Sequence, residues 1–206
     1  MSNNRVYVIG ICGPTCGGKT TVCEKILEKV KKTNESICII NQDSYYKGGD
    51  ESTNYDIPTA IDFDLLFSHL NDLINGISVN VPYYDFSTHS RKNETKIVGP
   101  TKIILVEGIL IFTQEKIRNL CDLKVFIQAD EVTCFTRRLE RDTKERGRTF
   151  KEVKKRYIGH VRNSNIMYVD PSKGFADIIL MNNVDWNFVG LKILLDHIEK
   201  KIKKIR

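Results

Sequence analysis

The chain has 206 residues, 41% of them hydrophobic and 28% charged, with a formal net charge of +6. That is enough chain for one domain with its own core, and no apolar run approaches the ~18 residues that a membrane-spanning helix needs. The excess of Lys and Arg suits a polyphosphate ligand, but no nucleic-acid-binding module accompanies it, so no nucleic-acid partner is expected.

Taken in chain order, Arg5 to Ile11 is a short apolar run that predicts a buried strand. No basic region followed by a long apolar stretch precedes it, which argues against a secretion signal and for a cytoplasmic protein. A Gly-rich turn follows. Cys23, Ile26, Leu27 and Val30 then fall at i, i+3, i+4 and i+7, one face of a helix. Ser36 to Ile40 predicts a second strand, and Asp62 to Leu73 a second helix. Residues 77–98 break the pattern and read as a hairpin-like insertion: Ile77 to Val81, Pro82 to Phe86, and Thr95 to Val98. Strands are expected at Lys102 to Val106, Leu123 to Ile127 and Ala176 to Leu180, with a helix from Cys134 to Arg146 between them. Residues 137–156 form a very basic helical stretch. A last helix from about Asn187 places Leu191, Leu194, Leu195, Ile198 and Ile202 on one stripe. Strands alternating with helices predict an α/β fold, a mostly parallel sheet covered on both faces. We read residues 1–206 as one domain carrying a hairpin insertion at 77–98 and an Arg-rich lid at 137–156. Six cysteines, none spaced as C-x-x-C, read as reduced thiols.

The strongest chemical signal is Gly13-Pro14-Thr15-Cys16-Gly17-Gly18-Lys19-Thr20, followed by Thr21. It fits G-x-x-x-x-G-K-[ST], with a strand before it and a helix after it. Its backbone N–H groups and the helix N-terminus would cradle the phosphates of ATP. Lys19 would reach the β/γ-phosphates and Thr20 would help hold Mg²⁺. The motif alone does not separate a kinase from a GTPase or a motor. Two acids narrow the choice. Asp43 follows the second strand, where a carboxylate can take a proton from an attacking hydroxyl or hold the metal. Glu107 ends the apolar run Ile103 to Val106, where a charge is costly unless paired, and a Mg²⁺ shell would supply that partner. Arg138, Arg141, Arg146 and Arg148 are candidates to meet phosphate oxygens bidentately from the lid. Tyr83, Tyr84, Asp85, Phe86, His89 and Arg91 make the insertion unusually aromatic and polar.

Gln42-Asp-Ser-Tyr-Tyr46, Tyr55-Asp-Ile-Pro58, Pro82-Tyr-Tyr-Asp-Phe86, Ser87-Thr-His-Ser-Arg91, Val106-Glu-Gly-Ile-Leu110, Arg137-Arg-Leu-Glu-Arg-Asp142, Glu145-Arg-Gly-Arg148 and Pro171-Ser-Lys173 join the phosphate-loop motif in one order. With them the chain resembles the uridine kinase (uridine–cytidine kinase) family over roughly residues 6–200. The resemblance implies a three-layer P-loop NTPase fold and transfer of the γ-phosphoryl of ATP to the ribose 5′-hydroxyl of uridine or cytidine. It implies Asp43 as general base, with Thr20, Asp43 and Glu107 around Mg²⁺, and Lys19, Arg138 and Arg141 on the transferring phosphoryl group. Asp56 would bind the ribose hydroxyls, with Arg146 or Arg148 nearby. Tyr84, Phe86 and His89 would shape the pyrimidine pocket, with Tyr55 as an aromatic wall. A homotetramer is the family's usual assembly. Two departures stand out: Ile57 replaces a His, and Met167 stands where the family has a Gln, which predicts altered base discrimination if that position meets substrate. Rival readings are another small-metabolite P-loop kinase (phosphoribulokinase, pantothenate or nicotinamide riboside kinase type) and a nucleotide-binding regulator that transfers nothing.

Overall fold

The computed structural model describes residues 5–182 and 189–205. Five strands form one parallel sheet: β1 (Tyr7–Cys12), β2 (Ile37–Asn41), β5 (Ile103–Gly108), β6 (Leu123–Gln128) and β7 (Ile178–Met181), in the order β2-β5-β1-β6-β7. β3 (Val79–Asp85) and β4 (Ser90–Val98) pair with each other as a separate antiparallel hairpin. The helices are α1 (Lys19–Lys31), α2 (Phe63–Ile74), α3 (Glu115–Arg118), α4 (Glu131–Glu145), α5 (Phe150–Arg156), α6 (Arg162–Ser164), α7 (Asp170–Ser172) and α8 (Val189–Ile205).

The sheet strands are apolar without interruption because both faces are covered. Side-chain alternation divides the core. Val8 and Cys12 of β1, with Ile104 and Val106 of β5, pack toward α2 and the hairpin. Ile9 and Ile11, with Ile103 and Leu105, pack toward α1 and α8. Leu191, Leu194, Ile198 and Ile202 of α8 are buried in that second layer, as the stripe predicts, and Leu195 is partly buried against it. The expected start of this helix near Asn187 lies outside the described residues.

The hairpin differs from the three short segments expected. Its two strands are longer, and Pro82 sits inside β3 beside a register shift at Pro82/Tyr84. A two-stranded edge tolerates the missing N–H there. The basic stretch is not one helix. Gly147 adopts φ 63, and Thr149 with Glu152 forms a capping box that starts α5. The left-handed glycine turns the chain, so 137–156 becomes a corner between α4 and α5. Beyond α5 the chain stays helical to Phe175, through π-helical turns at Tyr157–Val161 and Asn165–Val169 that the sequence reading did not foresee.

All five strands are parallel, so their carboxyl ends share one edge. Ligands of open α/β sheets bind at such an edge, where neighbouring connections diverge. The hairpin is fastened beside it by Arg91. Its Nε donates to Tyr46 O at 2.8 Å and its Nη2 to Tyr45 O at 2.9 Å, while Asp62 Oδ2 accepts from the same guanidinium at 3.2 Å. Asp62 also caps α2 by accepting from Leu65 N. Replacing Arg91 by Met leaves two carbonyls and a carboxylate without this donor, a loss of about 2 kcal/mol in hairpin docking. Hydrogen exchange measured by mass spectrometry will then be faster across residues 79–98 and unchanged in β1 and β5.

Candidate active site

The phosphate loop links β1 to α1. Gly13 sits at φ 149, and a Cβ there would lie 2.3 Å from Ile127 O, so only glycine lets the loop pass this close to β6. Gly18, at φ 103, ends the loop and begins the helix. Cys16 takes a left-handed φ of 56 between them. The loop is closed by Gly17 N donating to Pro14 O at 3.0 Å, and Asn182 Nδ2 ties Gly17 O from the end of β7 at 2.7 Å. Lys19 is 8% exposed, and its Nζ donates to Pro14 O at 2.9 Å.

The ends of β2 and β5 bring the two acids next to this loop. Glu107 is 4% exposed and accepts at Oε1 from Asn41 Nδ2 at 2.8 Å and from Thr20 Oγ1 at 3.3 Å. Asn41 Oδ1 in turn accepts from Asp43 N at 2.8 Å, which fixes the turn carrying Asp43. Burial pushes the Glu107 carboxyl up to about 7, reinforced by Asp43 and opposed by Lys19 and the Thr20 hydrogen bond. Gln42, fully buried, accepts from Leu110 N at 2.8 Å and packs where any side chain on Gly108 would sit.

Thr20, Asn41, Asp43 and Glu107 all border a cleft of about 550 Å³. Thr15, Cys16, Gly18, Lys19 and Thr21 border it from the loop. Gly13, Pro14 and Gly17 do not: they shape the loop from behind. Opposite stand Arg138, Arg141, Arg146 and Arg148 of the α4–α5 corner. Arg138 is 7% exposed and donates to Thr15 Oγ1 at 3.1 Å, joining lid to loop.

The hairpin and the chain after β2 close the remaining side with Tyr46, Tyr55, Asp56, Tyr84, Phe86 and His89. Tyr46 is the hub, with ring centroids 5.5 Å from Tyr55, 5.2 Å from Tyr84 and 6.5 Å from Phe86. His89, at φ 52, stacks on Tyr55 at 5.3 Å, so these two rings form one wall. The Arg146 guanidinium lies 4.4 Å from the Phe86 centroid, a cation–π contact that brings lid and hairpin together. Asp56 N donates to Asn54 Oδ1, and Asn54 Nδ2 donates to buried Ser164 Oγ at 3.1 Å, which anchors this segment to the helical run. Desolvation pushes the Asp56 carboxyl up; Arg138 opposes this, Asp43 adds to it, and His160 and Lys19 also oppose it. Burial, then Arg156 and Arg148, push the His89 imidazole below its ordinary value.

Every residue expected at a catalytic, substrate or metal position therefore borders one cleft. Sequence reasoning missed Tyr46, Asn41, Arg156 and His160, which border it too. Tyr46 lay within a motif already singled out, and Arg156 within the basic stretch. Asn41 and His160 carried no signal, because only the sheet register and a π-turn bring them to the cleft. Met167 is 64% exposed and lies away from the cleft, so the expected loss of a substrate hydrogen bond there does not follow. Among the described residues no group of three or more His, Cys, Asp and Glu could hold a metal by itself. Thr20 and Glu107, two oxygen donors in contact, fit instead the sparse set that Mg²⁺ uses when a nucleotide supplies further ligands. All six cysteines are free thiols, and no described helix is long and apolar enough to cross a membrane.

The folded-state value of Glu107 lies above that of the unfolded chain, so the folded state binds the extra proton between these values. Stability without nucleotide is then lost as pH rises from about 4.5 to about 7. Glu107→Gln removes this loss. In EDTA, urea unfolding will find the variant more stable than the parent by roughly 2–4 kcal/mol at pH 8 and nearly equal to it at pH 4.5. Equal offsets at both pH values would contradict the buried-charge account.

A profile of the Phosphoribulokinase / Uridine kinase family matches residues 8–186. The uridine kinase of Clostridium tetani is 42% identical, over 98% of this chain and 99% of its own length. The uridine-cytidine kinase 2-B of Danio rerio is 37% identical, over 94% of this chain and 79% of its own. Among solved structures, D-glycerate 3-kinase from Cryptococcus neoformans superposes with a TM-score of 0.66 at 18% identity, covering 90% of this chain and 88% of that one; this likeness speaks for the fold.

Proposed function

The chain belongs to the phosphoribulokinase/uridine kinase family, and from that premise we propose that it transfers the γ-phosphoryl group of ATP to the ribose 5′-hydroxyl of uridine or cytidine. The observation that carries this reading is one cleft shared by a phosphate loop, the Asp43 carboxylate, an arginine corner and an aromatic hairpin. A regulator needs only the first of these; transfer to an acceptor that carries a planar base gives a use to all four.

In this reading the nucleotide phosphates lie along the loop, with Lys19 on the β/γ-phosphates. Asp43 accepts the proton of the 5′-hydroxyl as its oxygen bonds to the γ-phosphorus. The bond from that phosphorus to the bridging oxygen breaks, and ADP leaves with the electron pair. Arg138 and Arg141 face the equatorial oxygens, where charge collects during transfer. Thr20 and Glu107, with Asp43 beside them, would hold Mg²⁺, which when bound supplies positive charge to the phosphate oxygens. Asp56 accepts from the ribose hydroxyls, with Arg146 and Arg148 nearby. Tyr84, Phe86 and the Tyr55–His89 wall bound the base. The depressed His89 titration keeps its ring neutral at pH 7, able to donate from one nitrogen and accept at the other. We assign residues 1–206 to one kinase domain, with 77–98 as acceptor hairpin and 137–156 as lid. A cytoplasmic homotetramer, expected from the family resemblance, belongs to the same proposal and is checked by sedimentation equilibrium.

The test is ADP release from ATP·Mg²⁺ with uridine, cytidine, adenosine, nicotinamide riboside, pantothenate and ribulose 5-phosphate as acceptors. Turnover is expected with the pyrimidine nucleosides alone. Asp43→Asn lowers kcat by about 10²–10⁴-fold while leaving nucleotide affinity within a few-fold. Silence with both pyrimidines, or full activity in the variant, would sink the assignment.

A further inference from the structure

Asp142 is completely buried in α4, and no role in the reaction has yet been given to it. Its two carboxylate oxygens meet four guanidinium groups. Oδ1 lies 2.9 Å from Arg141 Nη2, with Arg141 Nε also donating to it at 2.9 Å, and 3.5 Å from Arg146 Nη1. Oδ2 accepts from Arg148 Nη1 at 3.2 Å and lies 3.5 Å from Arg138 Nε. The Asp142 backbone carbonyl also accepts from Arg148 N at 3.1 Å, which ties down the chain just past the Gly147 turn.

Helical spacing explains the cluster. Arg138 and Arg146 are four residues before and after Asp142, on its own face. Arg141 adjoins it, and the left-handed turn at Gly147 returns Arg148 to the same oxygens. Four guanidinium groups against one carboxylate leave the cluster at 4 − 1 = +3. Without the carboxylate, four like charges would share a partly buried corner with no counter-ion among them, leaving the Arg138–Thr15 hydrogen bond and the Arg146–Phe86 contact to hold two of them. Burial, then the neighbouring guanidinium of Arg141, pushes the Arg146 titration down, and burial, then Arg156, pushes that of Arg148 down, while Asp142 acts to raise both.

We propose that Asp142 is a positioning residue: one buried counter-ion that holds Arg138, Arg141, Arg146 and Arg148 as a single preorganised array facing the cleft. This rests on the kinase reading above and adds a cause to it. Arg138 and Arg141 serve the phosphoryl group, Arg146 and Arg148 the nucleoside, and one carboxylate sets both pairs at once. Its remaining +3 is left for polyphosphate to neutralise.

Asp142→Asn keeps the shape and removes the charge. The expected result is a kcat at least 10-fold lower and a nucleoside KM raised several-fold, with the KM for ATP, which the phosphate loop governs, within about 3-fold. In Asp142→Ala the vacated space admits formate, and added formate restores part of the lost kcat; a purely space-filling aspartate would give no such rescue. Phenylglyoxal labelling, mapped by mass spectrometry, reads the array without any turnover, and in either variant all four arginines will label faster together. Unchanged labelling of the four overturns the proposal, as does a kcat within 2-fold of the parent or a loss that formate does not relieve. If the parent protein phosphorylates no pyrimidine nucleoside, it is the kinase reading that fails, and the labelling still decides whether Asp142 organises the array.

Discussion

Glu107 is a carboxylate at the carboxyl end of a strand with neighbours on both sides, almost wholly buried at the cleft's edge, and the acidic side of the cleft is arranged around its charge. β5 carries it out of the sheet between β1 and β2. β1 delivers the phosphate loop, so Thr20 meets Glu107 from α1. β2 delivers Asn41, which binds Glu107 with its amide and the Asp43 turn with its carbonyl. One buried charge therefore fixes the relative positions of three strand ends. A carboxylate this deeply buried favours either a proton or a cation. In the proposed reading Mg²⁺ with nucleotide would supply the second, so the same residue that weakens the empty protein would serve the loaded one.

Across the cleft the problem has the opposite sign. Four arginines are concentrated on a corner that a plain helix could not make, and Asp142 compensates only one of their charges. The acidic strand ends and the basic corner face each other over a gap bounded by aromatic rings. In the proposed reading an acceptor hydroxyl in that gap would have a carboxylate at its proton and guanidinium groups beyond the phosphoryl oxygens. The chemistry proposed needs little else, because phosphoryl transfer asks a protein mainly for position and field. The Phe86–Arg146 contact ties the aromatic hairpin to the same corner, so the surface proposed for the base and the charges proposed for the phosphates are joined directly.

Much of this was legible in the sequence. The alternation of apolar runs and amphipathic stretches gave the parallel sheet and its covering helices, because a strand covered on both faces must be apolar throughout. The phosphate loop was legible because its glycines answer to local backbone conformation, such as the left-handed φ of 103 at Gly18. The hidden parts depend on contacts distant in the chain. Asn41 looks like the end of an apolar run until the register of β2 and β5 sets it beside Glu107. The α4–α5 corner hides inside a continuous basic stretch, although Gly147 and the Thr149–Glu152 box were there to mark it. Asp142 reads as one acid among many bases until the structure shows it buried, with four of them turned toward it. The π-turns that bring His160 to the cleft leave no periodic trace, and Met167, prominent in the sequence, faces away.

The central claim is that the cleft places a primary ribose hydroxyl, and no other group, in line with the phosphoryl donor. Phosphorus NMR of the product formed from ATP·Mg²⁺ and uridine tests it most directly. A phosphomonoester on the 5′-carbon couples to two protons, and the account predicts a triplet appearing in step with ADP. A doublet from a secondary hydroxyl would contradict it, and so would inorganic phosphate with no ester at all.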